Sequence, residues 1–302
     1  MNGKLQREVL KGVSRSFYLS LRLLPAPMRS AASLAYLLAR SSDTLADASD
    51  APLDLRLDAL TQFRRAIVEQ SGSPRWPIAV LNGVADFRER RLLESADDIL
   101  SQLKFLPEGE VHLVREVLET IVSGQLFDLQ YFTNASSRNP VALENDIALE
   151  DYTWRVAGCV GAFWTKLGFL TLGDRFSNND QSRLIEKGIS YGKGLQLVNI
   201  LRDLPADIAV GRCYLPISDP HDRVALLACH SGWLDRAKSW IAEGEDYAKS
   251  LKIRRLRTAT VLPARIALPT LEAMQGVSWD RLQERIKVPR STVYRALIRA
   301  LF

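Results

Sequence analysis

The chain has few of the residues that build disulfides, metal clusters or nucleophilic catalytic sites. It contains only three cysteines and three histidines among 302 residues. Cys159, Cys213 and Cys229 show no pairing pattern, which argues against a disulfide framework and favours a reducing compartment. Cys229 and His230 are neighbours, but no other Cys or His pair stands at ligand spacing, so a zinc site is disfavoured.

Long hydrophobic runs and glycine-rich phosphate loops are also missing. The sequence has no apolar run of 18 or more residues and begins with the charged segment MNGKLQREVLKG. We therefore expect neither a membrane-spanning helix nor a signal peptide, and a cytoplasmic location. The glycine signatures of P-loops and dinucleotide folds are absent. His112, His221 and His230 are too scattered to suggest a Ser–His–Asp or Cys–His arrangement.

The overall composition is that of a globular protein. Hydrophobic residues make up 47% and charged residues 25%, which predicts a folded chain with a large buried core. The net charge of +5 suits nucleic acid, anionic lipid or an anionic substrate without choosing among them.

Apolar residues recur at spacings of three and four, and two-residue alternation is hard to find. The sequence predicts an all-α, single-domain multi-helix bundle over residues 1–302, with no strand. The predicted helices are 4–22, 28–48, 52–70, 77–104, 108–132, 146–173, 180–208, 234–250, 255–275 and 289–301.

Two aspartate pairs stand at helical spacing, Asp43 and Asp47 in ARSSDTLAD, and Asp203 and Asp207 in NILRDLPAD. Such pairs usually lie on solvated helix faces, where like charges destabilise a helix by a few tenths of a kcal/mol. Here the flanking residues are strongly apolar, which favours polar stripes facing a cavity. Carboxylates in such places are costly unless cations accompany them.

A divalent metal would supply those cations. Magnesium takes oxygen ligands and is usually held by one or two carboxylates plus substrate phosphates. Two facing acidic helices would clamp magnesium around one diphosphate, with Arg40 and Arg202 on its oxygens. Since no nucleophile accompanies the aspartates, the pattern favours ionisation of a diphosphate ester.

Aromatic residues cluster in DYTWRVAGCVGAFWTKLG, where they would either pack in the core or stabilise a carbocation by roughly 0.5 to 2 kcal/mol each. They are Tyr152, Trp154, Phe163 and Trp164. Small residues in the same segment would allow either close helix contact or room for a long ligand. These are Ala157, Gly158, Gly161 and Ala162.

Five stretches together resemble the squalene/phytoene synthases, head-to-head prenyl transferases of the all-α isoprenoid synthase fold with a central cavity. They are VSRSFYLSLRLLP, YLLARSSDTLAD, DYTWRVAGCVG, GLQLVNILRDLPADIAVGRCYLP and KVPRSTVYRAL. They occur in the family's order and cover almost the whole chain. The first acidic motif is closer to the squalene-type DTxxD than to DDxxD.

The resemblance implies roles for individual residues. Magnesium ligands with a catalytic role would be Asp43, Asp47, Asp203 and Asp207, with Gln196 and Asn199 beside them. Diphosphate would be bound by Ser14, Arg15, Ser16, Arg40, Arg202, Arg212 and Tyr214. The prenyl pocket would be lined by Phe17, Tyr36 and Tyr152, of which Tyr152 is also expected to act in catalysis.

The implied reaction joins two farnesyl diphosphates through presqualene diphosphate to squalene, with NADPH supplying hydride in the second step. Phytoene or dehydrosqualene formation without a reductant, and arrest at presqualene diphosphate, stay open as alternatives. Substrate chain length and oligomeric state also stay open. A non-catalytic binding factor is disfavoured because all four aspartates are present, and nucleic-acid binding because it rests on charge alone.

Two further features carry expectations. Pro205 lies between Asp203 and Asp207 and predicts a bend or an early helix end that aims Asp207 inward. The C-terminal STVYRALIRALF is a short basic amphipathic helix. It would either dock on the bundle or make peripheral contact with an anionic membrane, where an oily product must go.

Overall fold

The computed structural model describes residues 17–69, 73–284 and 286. The chain divides into two compact units, Met1–Tyr131 with Lys166–Gly173, and Phe132–Thr165 with Asp174–Phe302. The described part of each unit is built almost entirely from helices, so the predicted all-α class is confirmed.

Among the described residues, the first unit contains seven complete helices, the end of the helix Cys159–Leu172 and a short 3-10 turn at Gln102–Phe105. The helices are α1 Phe17–Leu23, α2 Ala26–Ala46, α3 Leu53–Val68, α4 Ile78–Asn82, α5 Phe87–Glu94, α6 Ala96–Ser101 and α7 Glu108–Tyr131. Helices α2 and α3 both pack on α7. Helix α2 buries Leu34, Leu38 and Leu45 along one side, as expected for the three- and four-residue spacing of its apolar residues.

The prediction of one helix over 77–104 is wrong. The chain turns after α4 at Gly83, and the Asp86 side chain then caps α5 by accepting a hydrogen bond from the Arg88 N–H at 2.7 Å. An aspartate at this position favours a new helix start over continuation. The predicted helix 289–301 and the first part of 4–22 lie outside the described residues.

The second unit is organised around one long helix. In chain order it contains α8 Asp146–Thr153, a π-helical turn Trp154–Gly158, the start of α9 Cys159–Leu172, α10 Gln181–Ala209, α11 Arg223–Ser250, α12 Arg254–Ala273 and α13 Trp279–Gln283. Helix α10 packs against α8, the π-helical turn, α11, α12 and α13. Helix α11 begins earlier than the predicted 234 because Asp222 caps it, accepting from Val224 and Ala225.

Two short parallel strands join segments far apart in sequence. Strand β1, Val141–Ala142, pairs with β2, Arg212–Cys213, with Val141 opposite Arg212. The sequence analysis predicted no strand, because two residues are too few to show alternation. The pairing places Arg212 directly after the end of the long helix α10.

Helices α9 and α10 meet backbone to backbone at two glycines. A Cβ atom added to Gly161 would lie 1.8 Å from the carbonyl oxygen of Gly188. No side chain larger than hydrogen can therefore occupy this crossing. Of the two alternatives for this small residue, close helix contact is the one that the structure shows.

One helical stretch among the described residues, Asp146–Arg175, has the length and apolar composition of a membrane span. This differs from the expectation that no such segment exists, because a few charged residues interrupt the apolar run in the sequence. A helix that is apolar all round is also typical of the core of a large protein.

A buried tyrosine hydroxyl forms two hydrogen bonds with the backbone of α12 next to Pro263. The Tyr191 hydroxyl donates to the Thr260 carbonyl at 2.8 Å and accepts from the Ala264 N–H at 2.9 Å. These two backbone groups would bond to each other in a regular helix. The tyrosine is thus inserted into the hydrogen-bond ladder of α12, and burial raises the pKa of Tyr191 well above its usual value, which keeps the hydroxyl protonated.

Replacing Tyr191 with Phe should leave both backbone groups without this partner. We expect the free energy of unfolding to fall by about 2–4 kcal/mol, since an unpaired buried polar group costs about 1–3 kcal/mol. Urea denaturation followed by circular dichroism measures the change. The matched control is Tyr247→Phe, expected to cost about 1 kcal/mol, because its partner Thr165 keeps a bond to the Gly161 carbonyl. Equal losses in the two variants would contradict the prediction.

Candidate active site

The first aspartate motif lies at the C-terminal end of α2 in the first unit. Asp43 is in the last turn, and Asp47 is the residue at which the helix ends, with its N–H donating to the Asp43 carbonyl at 2.9 Å. The Asp47 side chain is exposed, and Asp43 exposes 47% of its side-chain surface. Both carboxylates are therefore accessible to a ligand from solvent.

Arg40 links Asp43 to a second acidic residue. Its Nη1 donates to Asp43 Oδ2 at 2.5 Å, and its Nη2 donates to Glu89 on α5. Gln125 of α7 also donates to Asp43, at 3.4 Å. The sequence analysis missed Glu89 and Gln125, because they lie on other helices and neither has a distinctive spacing to the motif.

The carboxyl group of Asp43 has a perturbed pKa. Partial desolvation by the surrounding protein atoms raises the pKa of Asp43, and the charge of Glu89 raises it further. Arg40 and Gln125 lower it, but desolvation prevails. A cation placed beside Asp43 would lower this pKa and favour the ionised carboxylate.

The remaining predicted residues of the first unit are placed only in part. Tyr36 is half-buried one helical turn before Arg40, on the same face of α2. Phe17 is the first residue of α1. Ser14, Arg15 and Ser16 lie outside the described residues, and their proposed role in diphosphate binding stays a prediction.

The second aspartate motif lies on α10 in the second unit. Arg202 holds Asp203 with two hydrogen bonds, from Nε at 3.0 Å and from Nη2 at 2.5 Å. Asp203 and Asp207 are half-buried. Each motif thus has an arginine bound to its first aspartate.

Two amide residues precede the second motif on α10. Gln196 is half-buried and Asn199 is exposed. The structure keeps both on the same helix as the second aspartate pair, as predicted. Their role beside the metal ligands stays a prediction.

Of the bend or early helix end predicted at Pro205, the early end is wrong. Helix α10 continues through Pro205 and ends at Ala209, so Asp207 is still helical. The prediction counted only the donor that proline removes. It could not include a donor that another helix supplies, which is described below.

Two tyrosines from separate motifs form one stacked pair. The rings of Tyr152 and Tyr214 lie 4.8 Å apart at 19°, and Phe132 packs its edge on Tyr214 at 5.3 Å. Both tyrosines are buried. The resemblance assigned them to the prenyl pocket and to the diphosphate respectively, and the structure brings them into direct ring contact.

The other aromatic residues differ in burial. Phe163 is buried in the core, whereas Trp154 exposes 39% of its surface from within the π-helical turn. Such turns are rare and frequent at functional sites. Core packing therefore accounts for Phe163 but not for Trp154.

The donor atoms present suit magnesium bound together with a substrate. No group of three or more His, Cys, Asp or Glu side chains converges among the residues that the structure describes. Each motif supplies carboxylate oxygens, and magnesium is usually held by one or two carboxylates while phosphates and water complete its shell. The arginines on Asp43 and Asp203 show that both carboxylates accept a cation, so these residues fit the ion.

A model of the squalene/phytoene synthase family matches residues 10–292. The chain belongs to this family. Its members are prenyltransferases, so the predicted resemblance and the predicted class of enzyme are confirmed.

The alignments with two relatives cover different shares of the chains. The presqualene diphosphate synthase of Zymomonas mobilis is 26% identical over 97% of this chain and 91% of its own length. The bifunctional lycopene cyclase/phytoene synthase of Phaeosphaeria nodorum is 30% identical over 69% of this chain, but the match spans only 33% of that longer protein. Squalene synthases are among the further relatives.

The solved structure of TcSQS with the ligand E5700 has a TM-score of 0.80, covering 99% of this chain and 85% of that chain. At 21% identity this likeness concerns the fold. It confirms the predicted isoprenoid synthase fold.

Gly211 sets the position of Arg212 and Tyr214. Its φ of 93° lies in the left-handed region, and an added Cβ would lie 2.3 Å from the Ser136 backbone nitrogen. The chain can therefore turn from α10 into β2 only with glycine here.

Gly211→Ala is expected to lower the free energy of unfolding by more than about 2 kcal/mol, because strain of about 1–2 kcal/mol is added to a backbone clash. Thermal unfolding measures this. Gly276→Ala has a φ of 63° with no neighbour within 4 Å, so it reports strain alone. Gly232 lies within a helix, without a positive φ and without a close neighbour. Gly232→Ala should therefore raise the free energy of unfolding by up to about 1 kcal/mol. A Gly211→Ala protein no less stable than Gly276→Ala would argue against the clash.

Proposed function

We propose that this protein catalyses the magnesium-dependent head-to-head condensation of two farnesyl diphosphates, through presqualene diphosphate, to squalene. The observation that carries the proposal is the pair of acidic motifs, each with an arginine bound to its first aspartate. Membership of the family supports the class of reaction. The squalene-type DTxxD form of the first motif, with Thr44 at its second position, favours C15 substrates.

The aspartates have the role of holding the metal. Asp43, Asp47, Asp203 and Asp207 would bind Mg²⁺, which when bound neutralises the charge of the leaving diphosphate. Arg40 and Arg202 then exchange their carboxylate partners for phosphate oxygens, a geometry for which the guanidinium fork is suited. Arg212 and Tyr214 add donors for the diphosphate.

The reaction needs a surface that tolerates a carbocation and excludes water. Aromatic faces stabilise a nearby cation without reacting with it, and we assign this role to the stacked Tyr152 and Tyr214 rings. Tyr36 is proposed to contact the prenyl chain. In the second step presqualene diphosphate loses its diphosphate, the cation rearranges, and hydride from NADPH quenches it. The product is then squalene, and NADP⁺ and diphosphate are released.

Arrest at presqualene diphosphate is the second candidate. It is favoured by the Zymomonas mobilis relative, which aligns over nearly the full length of both chains.

We also propose that the enzyme acts in the cytoplasm and delivers its oily product by peripheral contact with a membrane.

Purified protein incubated with Mg²⁺ and farnesyl diphosphate, with and without NADPH, separates these candidates. We expect squalene with NADPH and presqualene diphosphate without it, identified by mass spectrometry. Presqualene diphosphate in both reactions would establish the second candidate. Parallel reactions with geranylgeranyl diphosphate test phytoene formation. Dehydrosqualene formed from farnesyl diphosphate without NADPH would identify a dehydrosqualene synthase. No diphosphate release from either substrate would refute the proposed function.

Asp43→Asn and Asp203→Asn should each lower diphosphate release by at least about a hundredfold, the loss typical of removing one charged or donor group from such a site. Asparagine keeps the shape but loses the charge that binds Mg²⁺. Matched controls are Asp98→Asn in the first unit and Asp235→Asn in the second, since both aspartates are exposed and outside the motifs. Circular dichroism checks that all four variants fold. Full turnover in either motif variant would contradict the assignment.

A further inference from the structure

Pro205 leaves a backbone carbonyl of α10 without its usual donor. In a regular helix the N–H of residue 205 would bond to the carbonyl of Leu201. Proline has no N–H, and Leu201 is fully buried, so water cannot replace the donor. The carbonyl lies one turn before Pro205, within the segment that carries Asp203 and Asp207.

A histidine from α11 supplies the missing donor. His230 Nε2 lies 3.2 Å from the Leu201 carbonyl oxygen. A carbonyl can only accept, so Nε2 carries the proton and donates. His230 is only 2% exposed, and burial lowers its pKa, which agrees with a neutral ring. The imidazole thus replaces, from the side, the backbone N–H that proline lacks.

We propose that His230 is a positioning residue for the second aspartate motif. By donating to the Leu201 carbonyl it keeps α10 helical through Pro205, and so fixes the direction of Asp203 relative to Asp207. The proposal rests on the proposed function, in which these two carboxylates bind Mg²⁺ and diphosphate. His230 bonds to the backbone of α10 and acts on the aspartates through it.

Cys229 and His230 are neighbours in sequence, but their side chains bond to different parts of the backbone. His230 Nε2 donates to the Leu201 carbonyl, and Cys229 Sγ donates to the Pro216 carbonyl at 3.9 Å. Neighbours in sequence therefore bond to different segments. The imidazole serves the backbone of α10.

A double-mutant cycle on His230 and Pro205 tests the proposal. His230→Leu removes the donor, Pro205→Ala restores the backbone N–H, and the double variant has the restored N–H without the imidazole. His230→Gln keeps a side-chain N–H donor. Binding of inorganic diphosphate with Mg²⁺ is measured by calorimetry, and the Mg²⁺ dependence of diphosphate release by kinetics.

We expect His230→Leu to weaken binding of Mg²⁺ and diphosphate by about tenfold or more, the effect typical of residues that orient metal ligands. His230→Gln should retain most of the affinity. The double variant should bind as Pro205→Ala does, because both contain the same donor for Leu201. A merely structural role would lower the melting temperature without this pattern in Mg²⁺ affinity.

Two results would overturn the proposal. One is unchanged binding in His230→Leu, and the other is a double variant as weak as His230→Leu alone. If His230→Leu does not fold, His230→Met replaces it as a donor-free side chain of similar size. If the wild type binds Mg²⁺ and diphosphate but turns over no prenyl diphosphate, the proposed function fails while the binding cycle still decides the role of His230.

Discussion

The second unit depends on the requirement that every buried backbone carbonyl and N–H finds a partner. Helices α10 and α12 each lack a regular backbone bond at or beside a proline, and in each case a buried side chain from a neighbouring helix bonds the backbone groups that are left. His230 donates to the Leu201 carbonyl on the Pro205 side, and Tyr191 joins Thr260 to Ala264 beside Pro263. The backbone of α10 accepts the bond from His230 of α11, and Tyr191 of α10 bonds to the backbone of α12. These bonds fix the position of α10 along its axis relative to α11 and α12.

Charge pairing imposes the second constraint, at the acidic motifs. Carboxylates in partly buried places need cations, and each motif carries its own arginine for this purpose. Arg202 balances the charge of Asp203, whereas Arg40 is shared between Asp43 and Glu89. The same arginines are suited to phosphate, so the groups that balance the aspartates in the free protein are those that the proposed substrate would require.

The sequence predicted the parts of the structure that local pattern determines. The spans of α2, α7, α10 and α12 follow from apolar spacing, and both acidic motifs follow from their own residues. The failures have a common cause in contacts between segments. Strand pairing of Val141 with Arg212, the contact of Glu89 with Arg40 and the continuation of α10 past Pro205 all depend on partners distant in the chain. No spacing within α10 contains the information that His230 lies beside Leu201.

The crossing of Gly161 and Gly188 has a consequence for redesign. At this crossing the two main chains already touch, so any larger side chain would push the helices apart and move everything attached to them. A library of variants aimed at a different product should keep both glycines and vary positions at which side chains, not backbones, are in contact.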